Sequence, residues 1–202
     1  MKQSPDLHRP ALNSATLLQT SRGNRRQTLI EAAAALFRDK GFEGTSVRDI
    51  AAASGLLPGS IYCHFPSKER LFLAAQKQAF ERLNETVQAA VQDIPDPWAR
   101  LEAACIAHMS AILDESMPVG VVPERGLALW EELAATRDEY ENNFRRLVDD
   151  LPLPAGTSRK YLRLALLGAM NWVPGWYRPG RDAPQRIAVE IVWLLRCGLD
   201  PE

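Results

Sequence analysis

The stretch TSVRDIAAASGLLPGSIYCHF, Thr45 to Phe65, decides the fold. Ser46 with Asp49 three positions on forms a capping box at a helix start. Ile50 and Ala51 then face inward, and small residues continue to Ser54. Gly55 ends that helix, because glycine takes the left-handed conformation at low cost. Leu56 is an apolar plug, and Pro58 suits the first turn of a second helix over 58–64. So short a helix is unstable alone, so it must lie across the one before it. A short, braced, exposed helix after a tight turn is what a helix-turn-helix presents to the DNA major groove.

Working outward, Leu29, Ala32, Ala33, Leu36 and Phe37 recur at three-four spacing and predict a helix over 24–40, stopped by Gly41. Residues 1–21, with Pro5, Pro10 and no period, read as a flexible arm. Ser67 predicts the cap of a long helix to about residue 94, with Leu71, Phe72, Ala75, Ala79, Leu83 and Val87 along it. Pro95-Asp96-Pro97 breaks it, and Asp96 caps the next helix with Pro97 at its first position. That helix, 98–115, places Leu101, Ala104, Cys105, His108, Met109 and Ile112 on one face. Residues 116–123 form a Pro/Gly loop. A helical region to 151 follows, open to an interruption near Glu132, with Leu127, Trp130, Leu133, Tyr140, Phe144 and Leu147 as its buried stripe. Two final helices, 158–173 and 184–197, flank the turn PGWYRPG (174–180). Both are apolar over too wide an arc for one buried face. They form either a buried internal hairpin or, paired with their copies, a four-helix dimer interface.

The head of the chain closely resembles the TetR family of one-component transcriptional regulators. The resemblance rests on Leu29, Ala32–Ala33, Leu36–Phe37, Gly41, Thr45–Ser46, Asp49–Ile50–Ala51, Gly55, Gly59, Tyr62, His64–Phe65, Lys68–Glu69 and Leu71, in order over residues 25–75. Beyond residue 80 it weakens. It implies an all-α chain with a helix-turn-helix three-helix domain over 22–70 and a helical effector-binding and dimerisation domain over 71–202. It also implies double-stranded operator DNA and a small-molecule effector as partners, and a homodimer formed through the last two helices.

The positions expected at DNA are Arg25, Thr45, Ser46, Arg48, Pro58, Gly59, Ser60, Tyr62, His64 and Lys68. Tyr62 and His64 match the family positions that grip the backbone, and both are uncharged donors suited to phosphate oxygen. Arg48 is expected to reach a guanine edge or a phosphate, the alternative being a solvated surface arginine. Ser60 donates to a phosphate or a base, and Lys68 pairs with a phosphate beside the start of its own helix. Arg22, Arg25 and Arg26 either neutralise phosphates or form a solvated helix start. Leu57, Pro58 and Cys63 depart from the polar, basic or aromatic groups of many relatives, and no Lys or Arg occurs in this helix before Lys68. Base reading then rests on Arg48, Ser60, apolar contact with thymine methyls and DNA shape.

In the rear half, MNWVPGWYRP, Met170 to Pro179, resembles a loop of the subgroup that senses fatty, steroid or aromatic acyl-CoA thioesters. On that resemblance Trp172, Trp176, Tyr177 and Arg178 are expected to border an effector, with Arg178 or Arg181 meeting an anionic group. His108 and Trp130 are further candidates. The competing reading has the aromatics packing the hairpin, the arginines solvated and His108 a satisfied core histidine.

Charge supports the division of labour. The chain of 202 residues has net charge −1, but residues 1–80 hold 11 Lys/Arg against 6 Asp/Glu, and the remainder 13 against 19. A basic front on an acidic rear is expected where one end meets phosphate. Cys63, Cys105 and Cys197 have neither metal spacing nor a disulfide framework and read as reduced thiols of a cytoplasmic protein. Residues 1–20 lack a signal-peptide core, no apolar run reaches membrane-span length, and no cofactor or metal is expected. No nucleophile–base pair, metal set or phosphate loop points to an enzyme; Cys105 and His108 share a core face. The expected function is a repressor released from its operator by a hydrophobic or acyl-CoA-type effector. Its rivals are an activator or effector-independent DNA-binding protein and, remotely, a helical enzyme.

Overall fold

A computed structural model describes residues 14–114 and 129–198, with side chains from Gly23 in the first span and from Glu131 in the second. These residues form eight helices and no strand: α1 (Ser14–Lys40), α2 (Val47–Ser54), α3 (Pro58–Tyr62), α4 (Lys68–Val91), α5 (Pro97–Ile112), α6 (Leu129–Asp149), α7 (Arg159–Trp176) and α8 (Pro184–Cys197). The loop expected at 116–123, and Leu127, lie outside the described residues. None of the described helices is long and apolar enough to cross a membrane.

The local stop and start signals act as expected. Ser46 accepts a hydrogen bond from the Asp49 N–H, and its own N–H donates back to the Asp49 carboxylate, closing the capping box of α2. Gly41 and Gly55 sit at φ 73° and 68° and end α1 and α2 in the left-handed conformation. Ser67 and Asp96 cap α4 and α5, with Pro97 in the first turn of α5.

Two boundaries differ from the sequence reading, and the alternative left open at Glu132 is settled. α1 begins at Ser14, not near Asn24, so the segment read as a flexible arm is helical from that point. A core stripe marks only the buried part of a helix, and residues 14–23 contain no proline to stop it. α6 runs unbroken through Glu132. α7 continues through Pro174 to Trp176, where a turn was expected. Proline withdraws its own N–H and its ring crowds the carbonyl four residues back, yet the next turn still closes, with the Tyr177 N–H donating to the Val173 carbonyl at 2.8 Å. Met170 and Val173, both fully buried, hold that turn in place.

Two cores result. In the head, Leu29, Ala33, Phe37, Phe42, Ile50, Ala51, Ile61 and Phe65 pack with Leu71, Phe72 and Ala75 of α4. The head core therefore extends into α4 past residue 70. Phe37, Phe42 and Phe72 form a ring triangle with centroids 5.1–5.7 Å apart, each pair adding about 0.5–1.5 kcal/mol beyond buried area. In the rear, α5 is the central strut, packed by α4, α6, α7 and α8. One α6 residue, Leu133, joins the head core rather than the rear one, so α6 as well as α4 spans both.

Candidate nucleic-acid interface and effector region

The helix-turn-helix is held from beneath. Thr45 is buried, and its hydroxyl lies 3.0 Å from the Leu36 carbonyl and 2.8 Å from that of Gly41. The Ser46 hydroxyl is taken up by Asp49, and the bonds that the Ser46 hydroxyl and N–H donate to the Asp49 carboxylate hold it below its ordinary pKa. Both residues, expected at DNA, spend their side chains on the α1–α2 corner. Lys68 does the same from the other side. Its ammonium donates to the Phe42 carbonyl at 2.9 Å and the Thr45 carbonyl at 3.1 Å, and lies 4.2 Å from the Phe42 ring centroid. The start of α4 is thereby tied to the corner that precedes α2, with one ammonium N–H left over.

The outward residues of the motif are different ones. Arg48, Pro58 and Gly59 are exposed, and Ser60 and His64 are half-buried. Tyr62 is 56% and Leu57 76% exposed, although both belong to a segment anchored by the buried Ile61. Single exposed apolar side chains are ordinary on a protein surface; Tyr62 differs in carrying a hydroxyl that can donate to a phosphate oxygen. Of the arginines opening the head, Arg25 is exposed, while Arg26 stacks 4.8 Å over the Phe65 ring. The side chain of Arg22 lies outside the described residues.

The residues expected at an effector do not form one group. His108 is enclosed in the rear core. Its Nδ1 lies 2.8 Å from the Tyr140 hydroxyl and its Nε2 3.2 Å from Asn171 Oδ1. The Asn171 oxygen can only accept, so in this arrangement Nε2 carries the proton and Nδ1 accepts from Tyr140. Burial pushes the His108 pKa down to about 4, with the Asn171 hydrogen bond acting in the opposite sense. The imidazole is therefore neutral near pH 7. Burial likewise pushes up the thiol of Cys105 and the phenol of Tyr140. Phe144 meets the His108 ring edge-on at 5.7 Å.

Trp172, 72% exposed, Trp176 and Arg178 lie on the outside, and Tyr177 packs against the rear core. Arg178 donates to the Tyr177 carbonyl. The Trp130 side chain lies outside the described residues. His108 thus meets α7 through Asn171, while Trp172, the next residue along, stays outside. Sequence reasoning missed Tyr140 and Asn171 as partners of His108. Asn171 carried a signal, being a lone amide in an apolar helix.

Residues 29–75 match the profile of bacterial regulatory proteins of the tetR family, and residues 95–199 match a tetracyclin repressor-like C-terminal domain. The HTH-type transcriptional repressor KstR2 of Mycobacterium tuberculosis (strain ATCC 25618 / H37Rv) is 30% identical over 189 residues, covering 89% of this chain and 94% of its own. AibR, crystallised with isovaleryl coenzyme A and operator DNA, superposes with TM-score 0.73 at 25% identity, over 84% of this chain and 97% of its own. The Bacillus subtilis regulator FadR shares the fold at 18% identity, with TM-score 0.74 over 86% of this chain and 99% of its own. Profiles spanning both cores and a relative matched along nearly its whole length agree with the architecture: the chain belongs to the tetR family of bacterial regulatory proteins and is a DNA-binding transcriptional regulator.

Proposed function

We propose that the protein is a homodimeric repressor whose hold on a pseudo-palindromic operator is weakened by an acyl-CoA-type effector. The observation that carries this reading is the placement of unpartnered apolar surface. Apart from Leu57 and Tyr62 on the helix-turn-helix, the large exposed hydrophobics among the described residues are Tyr161, Leu164, Trp172 and Trp176 on α7 and Trp193 and Leu194 on α8. Six such residues on the last helix pair suit a face that pairs with its copy, in a dimer that sets two α3 helices about 34–36 Å apart, one turn of the duplex. Arg48, Ser60, Tyr62 and His64, with Arg25, make the DNA contacts. Thr45, Ser46 and Lys68 position them. The aromatic residues of the Met170–Pro179 segment serve the dimer face, and the effector works from the His108–Tyr140–Asn171 side of α7.

AibR, bound to isovaleryl coenzyme A and operator DNA, supports the acyl-CoA assignment. The acyl thioester meets the rear core where Asn171, exposed, joins the enclosed His108 and Tyr140. Ligand and operator then oppose each other by equal factors, because the coupling is reciprocal. The test is an anisotropy titration against an operator selected from random duplex, with and without a panel of acyl-CoAs. Selection of a palindrome with affinity lowered by one panel member is expected. Failure to enrich any palindrome, or a complex of one protomer per site, overturns the reading.

A further inference from the structure

The rear domain is acidic overall, yet four of its cations meet in one place. A cleft of about 360 Å³ between the end of α6 and the start of α7 is lined by Arg145, Arg159, Lys160 and Arg163, with Asp149 as the acidic residue of the lining. Their ordinary duties are incomplete. Arg159 donates to the Val148 and Leu151 carbonyls at 2.6 and 3.0 Å, closing the end of α6. Arg163 is nearly buried; its Nη1 lies 3.7 Å from a Glu141 oxygen, outside hydrogen-bond reach, and has no hydrogen-bond partner among the described residues. Glu141 is also shared with Arg137 at 3.5 Å. Arg145 and Lys160 have no ion-pair partner among the described residues. Lys160 lies 5.6 Å from the Tyr161 ring. The start of α7, an 18-residue helix, adds its positive end to the same cleft.

These cations are not placed for operator DNA. Leu133 of α6 sits in the head core, and at 1.5 Å per residue the cleft is roughly 20 Å farther along that helix, away from the head. Along α7, however, Lys160, Arg163, Leu167 and Asn171 follow one another at three-four spacing and share a face. Asn171 is the partner of His108. From Lys160 to Asn171 is roughly 16 Å of helix rise, comparable to the extended pantetheine arm that separates a CoA thioester from its diphosphate.

We infer that the Arg145–Lys160–Arg163 cleft binds the phosphate end of the effector while the acyl end lies against the His108–Tyr140–Asn171 side of α7. This rests on the acyl-CoA reading above. Phosphate oxygens supply the acceptors that Arg163 lacks, and Arg145 and Lys160 neutralise the second charge.

Calorimetric titration of the full chain with the acyl-CoA panel, the matching acyl-pantetheines without phosphates, and adenosine 3′,5′-bisphosphate tests it. The unaltered protein is expected to prefer the best acyl-CoA over its acyl-pantetheine by about tenfold or more, the effect of one or more charge-assisted hydrogen bonds, with the gap narrowing as salt rises. In the Arg145→Ala/Lys160→Ala double variant the gap closes, while acyl-pantetheine affinity, operator affinity and thermal unfolding stay unchanged. A double variant that keeps the full preference overturns the inference and leaves the acyl-CoA reading standing. Binding of the bisphosphate that is lost in the double variant supports the inference when an acyl-CoA also binds; with no binding of any acyl-CoA it overturns the acyl-CoA reading. Absence of binding by all three probes overturns both.

Discussion

Arg70 and Glu132, 62 residues apart, meet through one guanidinium nitrogen that donates to both carboxylate oxygens at 2.8 Å. The pair joins the first turn of α4 to the first turn of α6, beside Leu133 in the head core. Farther along the same helix, Tyr140 bonds His108. α6 thus touches both the helix that carries Lys68 and the core where an effector would act. Both side chains are about half exposed, so Arg70→Ala or Glu132→Ala should cost no more than about 1 kcal/mol of stability. The larger expected effect is on coupling: the ratio of operator affinities without and with effector should fall in either variant, and no further in the double variant. Anisotropy titrations of all four proteins read this directly. Additive losses would show that the pair does not act as a unit.

At the DNA surface, Tyr62→Phe removes one uncharged donor and should weaken binding by roughly 0.5–1.5 kcal/mol, evenly across operator sequences. Arg48→Ala should lower affinity and reduce the slope of log K against log salt by about 1, as loss of one phosphate contact does. An unchanged slope with lost preference at one base pair would instead make Arg48 a base reader.

Lys68 separates positioning from contact. Lys68→Met leaves the Phe42 and Thr45 carbonyls without their charged donor, and should destabilise the head by about 1–3 kcal/mol. The salt slope of DNA binding should barely move. A slope reduced by 1 with unaltered melting would make Lys68 a phosphate ligand first.

The enclosed His108 sets an acid limit. Its folded pKa, about 4, lies below the unfolded value of about 6.5, so between these values the unfolded chain binds more protons. Stability from this group is complete above about pH 6.5 and declines as pH falls, by up to roughly 3 kcal/mol near pH 4. Chemical denaturation across that range should show the decline, and His108→Leu should flatten it. The variant also strands the Tyr140 hydroxyl, at a cost of about 1–3 kcal/mol at neutral pH. An unchanged pH profile in the variant would place the acid sensitivity elsewhere.

The proposed dimer face is testable without disturbing either core. Leu164 and Leu194 are exposed in the single chain, so Leu164→Glu/Leu194→Glu should leave secondary structure intact. Sedimentation should shift from dimer toward monomer, and operator affinity should fall sharply as the two heads lose their spacing. A variant that still sediments as a dimer would move the interface off α7 and α8.

The residue order alone specified whatever acts over one or two helical turns. The Ser46–Asp49 box, the Gly55 stop, the Ser67 and Asp96 caps and the stripe from Leu71 to Val87 all depend on neighbours within a few positions, and each appears where expected. Packing between distant helices settled the rest. Trp172 follows Asn171 by one residue, about 100° around the helix. Only the rotation of α7 against α5 turned the amide toward His108 and left the indole outside. The same holds for Lys68 reaching back 26 residues to Phe42, for Arg70 meeting Glu132, and for the cations of α6 and α7 sharing one cleft. No local spacing encodes such meetings; they follow from how whole helices bury their apolar faces against one another.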